Sequence, residues 1–137
     1  MRGRVQLVAV VVYFIAASMS AAADQPANSP SATYVFARLS DRYTEAQREA
    51  WFQSQAVGQK VSWSIKIVDI SKGWWNYDIQ GRVGSGREVL CKVDINKANT
   101  NLVADLSKGT KINCSGTIKS YVKFVGTVVL IDDAKIE

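Results

Sequence analysis

The chain has 137 residues, 47% of them hydrophobic, with 17 Lys and Arg against 12 Asp and Glu, two cysteines and no histidine. That length holds one domain, and the lack of histidine excludes Ser-His-Asp and Cys-His catalysis together with His-containing zinc sites. The formal charge of +5 is spread along the chain with no dense basic block, which argues against a dedicated nucleic-acid footprint and for a solvated surface of mixed charge.

Residues 1–23 have the order of a secretory signal: Arg2 and Arg4, an apolar run from Val5 to Ala17, then small residues ending Ala21-Ala22-Ala23. The apolar run is shorter than the ~20 residues a spanning helix needs, so the expectation is an exported chain, periplasmic or secreted, with no transmembrane segment after cleavage. Without those two arginines, 15 basic residues face 12 acidic ones. Lys108, Lys111, Lys119 and Lys123 cluster in the last third and form a candidate local basic patch.

Residues 24–40 read as a flexible lead-in, because Asp24 to Ala32 is polar, aperiodic and holds both prolines. The domain is then expected over 41–137. Thr44 and Gln47 have capping-box spacing and open a helix that runs to Gln55 and stops at Gly58. Ala46, Ala50 and Trp51 or Phe52 supply its apolar side.

After Gly58 the period becomes two. Val61, Trp63, Ile65 and Ile67 share one face of a first strand, while Ser62, Ser64 and Lys66 share the other. The phase slips before Val68 and Ile70, which predicts a bulge between Ile67 and Asp69, the device that bends a long strand into a small barrel. In the next strand Trp75, Tyr77, Ile79, Gly81 and Val83 fall on the inner side, and Trp74, Asn76, Asp78, Gln80 and Arg82 on the outer. This parity makes Trp75 a core residue. Trp74 is either a ring held out for a ligand or a lid on the end of the barrel.

Gly84-Ser85-Gly86 is a hairpin turn; it lacks the flanking residues of a phosphate loop or a nucleophile elbow. The third strand places Val89, Cys91, Val93 and Ile95 inward. A short helix fits Leu102 and Leu106, with Asn99 or Thr100 as cap and Gly109 as terminator. A fourth strand places Ile112, Cys114, Gly116 and Ile118 inward. The final segment, from Val122 to Ile136, is apolar at both parities, so its register is not readable. Cys91 and Cys114 thus face inward on two strands, either as buried thiols or as a disulfide of an oxidising compartment. Asp132 and Asp133 are adjacent on a strand and point to opposite faces, which suits neither a shared acid–base pair nor a metal site.

Three strands, a short helix and two strands is the order of the oligonucleotide/oligosaccharide-binding (OB) fold: mainly β, a five-stranded Greek-key barrel, here with an N-terminal helix and a short helix between strands 3 and 4. The stretches VGQKVSWSIKIVDIS, LVADLSKGTKINCSGTIKSY and VGTVVLIDDAKIE resemble the tRNA-anticodon-binding-domain-like family of small secreted bacterial OB-fold proteins, over about Val57 to Glu137. The resemblance implies a fold and a class of small exported domains rather than a catalytic activity, and no binding residues are carried over from it; no cofactor is expected.

In OB barrels the exposed face of strands 2 and 3 commonly holds the ligand. Here that face carries Trp74, Asn76, Asp78, Gln80, Arg82 and Lys92, joined by Glu88. The expected protein is a non-enzymatic, exported binding module. Glycan or envelope protein is favoured as partner over single-stranded nucleic acid, because Asp78, Glu88 and Asp94 on that face would repel phosphate. A structural adaptor of an envelope assembly is the alternative, with a free sheet edge or the Trp51-Phe52 end of the first helix as its contact surface.

Overall fold

In the computed structural model, residues 29–98 and 100–137 are described; the expected signal segment, the first part of the lead-in and Asn99 lie outside them. Five strands, β1 (Lys60–Lys72), β2 (Asn76–Gly84), β3 (Arg87–Asp94), β4 (Lys111–Lys123) and β5 (Thr127–Ile136), close into a barrel in the order β1-β2-β3-β5-β4. All pairings are antiparallel except β3 with β5, which is parallel. This closed Greek-key order, with a short helix between β3 and β4, is the OB fold.

The strand β1 serves two neighbours. Its first half, to Lys66, pairs with β4 and its second half with β2, and the register shifts between Ile67 and Asp69, where the sequence predicts the bulge. Val61, Trp63, Ile65 and Ile67 are buried, as their period requires. Gly81 on β2 faces Ile65 so closely that an added Cβ would lie 2.5 Å from Ile65 Cδ1; only a residue without a side chain fits there.

The second part of the expected lead-in is ordered instead. Residues Ala32–Arg38 form helix α1, with Ser31 as N-cap accepting from the Tyr34 N–H at 3.1 Å. Val35, Phe36 and Leu39 are buried. The segment is fastened at both ends: Trp63 Nε1 donates to the Pro30 carbonyl at 3.0 Å, and Lys123 Nζ donates to that of Leu39 at 2.9 Å. Thr44 and Gln47 form the expected capping box of α2 (Glu45–Trp51), which continues as a π-helical turn, Phe52–Ala56. That turn swings Phe52 and Ala56 into the core while Ala46 and Ala50 stay exposed, so the inward side differs from the one expected. Phe52 packs edge-on against Tyr121 at 4.6 Å between ring centres.

Helix α3 (Thr100–Asp105), in the place the spacing of Leu102 and Leu106 predicts, buries Val103, whereas Leu102 is 39% exposed. Cys91 on β3 and Cys114 on β4 are bridged across the barrel interior, with both residues fully buried. Thr127, Val129 and Ile131 set the inward face of β5, resolving the register that periodicity left open. Among the described residues no helix is long and apolar enough to cross a membrane.

Candidate ligand-binding face

The strand β2 starts at Asn76, and this overturns the expected burial of Trp75. Tyr77, Ile79 and Gly81 point inward as their parity demands, but Trp75 lies before the strand, in the β1–β2 loop where the barrel wall has already run past its core. Trp74 is 94% exposed and Trp75 80%, so neither ring is core and Trp74 is not a lid. The loop backbone is nonetheless anchored: Gly73 N–H donates to the Asn76 carbonyl at 2.8 Å, and Ile95 N–H donates to the Trp75 carbonyl at 3.0 Å. Two large rings therefore project from a fixed point at the head of the β2–β3 face.

Below them the outer face is a ladder of polar pairs interrupted by one leucine. Asn76 stands opposite Asp94, Asp78 opposite Lys92, Gln80 opposite Leu90 and Arg82 opposite Glu88. Glu88 holds two of its neighbours, accepting from Gln80 Nε2 at 3.0 Å and from Arg82 at 3.4 Å. Four of the residues expected at the site, Asn76, Asp78, Gln80 and Arg82, thus share one surface of β2 with Lys92 on β3, and Trp74 stands in the loop that precedes β2. Asp78, Glu88 and Asp94 outnumber Arg82 and Lys92, so the strip offers amides, carboxylates and two cations but no positive excess. A hydroxyl-rich, uncharged ligand meets complementary donors and acceptors there; a chain of phosphates meets net repulsion.

The expected lysine patch disperses. Lys108 pairs with Asp69 at 4.0 Å, Lys119 with Asp132 at 3.7 Å and Lys123 with Asp41 at 3.2 Å. The carboxylates of Asp132 and Asp133 also diverge, the first to Lys119 and the second to Lys97.

Neither surface expected for an adaptor is open, since the barrel is closed and Phe52 is fully buried, with Trp51 stacked edge-on to Tyr34 at 5.8 Å. A different apolar surface escaped sequence reasoning: Val122, Phe124 and Val125 at the β4–β5 turn are 61%, 91% and 94% exposed. The readable signal was a pair of bulky apolar residues directly before Gly126, in the place of a hairpin turn.

At the helical end of the barrel, Tyr121 donates to Glu49 Oε2 at 3.2 Å beside Arg48 and Lys123, in a depression of about 470 Å³. Its phenol is held above the ordinary value, chiefly by burial and then by the hydrogen bond and charge of Glu49.

No family model matches the chain, and no curated protein matches it. Among solved structures, a chain of a replication protein A heterotrimer bound to ssDNA is similar at a TM-score of 0.40 and 14% identity, over 58% of this chain and 57% of that one. The OBody AM1L10 bound to hen egg-white lysozyme gives 0.42 and 15%, over 58% and 79%. A putative aspartyl-tRNA synthetase from Leishmania major Friedlin gives 0.43 and 8%, over 64% and 19%, so this chain spans only a small part of that protein. Strand order and the parallel β3–β5 pairing, rather than these distant likenesses, define the fold.

Proposed function

We propose that this chain is an exported OB-fold module that acts by binding rather than by catalysis, and that it holds a glycan on the outer face of β2 and β3. One observation carries the reading: Trp74 and Trp75 stand side by side in water at an anchored loop, directly above a ladder of amide and carboxylate groups. Rings exposed to this degree are unfavourable in a free domain and become useful when a ligand's apolar face covers them. The Cys91–Cys114 bridge supports an oxidising compartment. The Arg2-to-Ala23 pattern and the likeness to the tRNA-anticodon-binding-domain-like family belong to the same proposal.

Tryptophan fluorescence of the domain and of its Trp74→Ala and Trp75→Ala variants, titrated with soluble cell-wall glycan fragments and with short single-stranded DNA, tests it. Saturable quenching by glycan that weakens about thirtyfold in either variant is expected, which is ~2 kcal/mol for a central aromatic anchor. DNA binding that is strong and steeply salt-dependent would replace the glycan by nucleic acid.

The adaptor reading keeps one observation in its favour. Val122, Phe124 and Val125 continue onto Val128, Leu130 and Leu90 on the outer side of β4, β5 and β3, an apolar strip of a kind that protein partners cover.

A further inference from the structure

At the other end of β2 from the tryptophans, the ladder places three cations in one row. Lys66 on β1 is directly opposite Arg82 on β2 and directly opposite Lys111 on β4. All three are exposed. Like charges facing each other across neighbouring strands repel at a Cβ separation of about 5 Å, and the row carries one carboxylate partner, the Glu88 that holds Arg82. Among the described residues neither Lys66 nor Lys111 forms an ion pair, in contrast with Lys97, Lys108, Lys119 and Lys123. The row borders a depression of about 570 Å³ whose wall is completed by the Gly84-Ser85-Gly86 turn. The backbone N–H groups of Ser85 and Gly86 make no hydrogen bond among the described residues. Gly86 has φ of +69°, so the turn needs glycine there and cannot readily carry a side chain over the depression.

We propose that Lys66, Arg82, Lys111 and the Gly84–Gly86 turn bind a phosphate or sulfate group. Two lysines without an ion pair among the described residues, an arginine shared with Glu88 and a turn with free amide donors, all lining one depression, supply the groups that hold a tetrahedral oxyanion. The group belongs to a sparsely charged glycan. From Asn76 to Arg82 the strand spans ~20 Å, so a ligand covering Trp74 and Trp75 at one end delivers one anionic group to the row at the other. Between the two ends lie Asp78 and Asp94, which oppose a polymer with a charge on every unit. The carrier rests on the glycan reading given above; the oxyanion site stands on the row itself.

The test is a titration followed by backbone amide NMR at constant ionic strength, first with inorganic phosphate and inorganic sulfate, then with a neutral glycan fragment, its phosphorylated or sulfated counterpart, and a short oligothymidylate. The phosphate and sulfate arms should give saturable shifts at Ser85, Gly86 and Lys111. Lys66→Gln and Lys111→Gln should each weaken that binding about tenfold, the loss of one hydrogen bond to a charged group, while Lys119→Gln leaves it unchanged. The charged glycan should bind more tightly than the neutral one, and the two row variants should abolish the difference without changing neutral-glycan affinity. Absence of saturable shifts at the turn, or equal losses in Lys119→Gln, overturns the site even if the neutral glycan binds at the tryptophans. Shifts at the turn with no glycan binding at Trp74 and Trp75 keep the site and refute the glycan. Oligothymidylate binding more tightly than the charged glycan overturns the assignment of the carrier.

Discussion

Opening the Cys91–Cys114 bridge should destabilise the domain by roughly 3 kcal/mol, because the sulfurs close a loop with a sequence separation of 23. The loop-closure entropy for that length is about −11 cal/mol/K, which at 25 °C gives the same figure. For a domain of about 100 residues, unfolding entropy near 2.1 cal/mol/K per residue converts this to a fall in Tm of about 14 °C. Reduction leaves both cysteines in their fully buried positions, Cys91 between Ile79 and Ile131 and Cys114 opposite Trp63, so the core packing is retained and the loss comes from freeing the unfolded chain. Urea unfolding with and without reductant reads the effect. The midpoint should drop on reduction and the denaturant slope should rise, since an uncrosslinked chain exposes more surface. Cys91→Ala/Cys114→Ala should be insensitive to reductant. A wild-type midpoint unmoved by reduction, with free thiols verified, would refute the reasoning.

Three further expectations concern the frame that carries the site. Leu39 is fully buried just beyond α1, so Leu39→Ala should cost about 2–5 kcal/mol in chemical unfolding; a loss below ~0.5 kcal/mol would mean the segment contributes nothing to the domain. Gly81→Ala should cost about 1–3 kcal/mol by crowding Ile65, whose Cδ1, Cβ and Cγ1 would lie 2.5, 2.7 and 2.8 Å from the new methyl; a urea midpoint unmoved by the substitution would contradict this. Burial and Glu49 raise the folded-state pKa of Tyr121, so its contribution is whole below the unfolded value near pH 10 and is lost as pH climbs through the folded value. The stability difference between wild type and Tyr121→Phe should therefore shrink above pH 10, whereas lysine titration affects both proteins alike; a difference that stays flat to pH 11.5 would contradict this.

Much of the barrel was legible because it depends on local period. Four alternating apolar residues from Val61 to Ile67, a phase slip at the bulge and a glycine-rich turn at Ser85 determine β1 and the β2–β3 hairpin almost unaided. What was missed depends on distant partners. Helix α1 has only seven residues, too few to be stable alone, and it exists because Phe36 and Leu39 find the barrel's core. Parity placed Trp75 inside because alternation says nothing about where a strand starts; Gly73 and the turn it makes with Asn76 put both rings beyond the wall. Parity places Asn76, Asp78, Gln80 and Arg82 on the outer side of β2, where the register sets Asp78 opposite Lys92, but the pairing of Gln80 and Arg82 through Glu88 is a cross-strand property. The cation row is another: Lys66, Arg82 and Lys111 lie far apart in sequence and meet only through the β1–β2 and β1–β4 registers.

The central claim is that ligand binds across the β2–β3 face beneath Trp74 and Trp75, and a two-dimensional amide and indole NMR titration with a cell-wall glycan fragment tests it most directly. Binding there should shift both indole N–H signals, the Gln80 side-chain amide and the backbone at Asp78 and Lys92 saturably, with the signals of Val122 to Val125 unmoved. Shifts confined to Val122, Phe124 and Val125, or none that saturate, would contradict it.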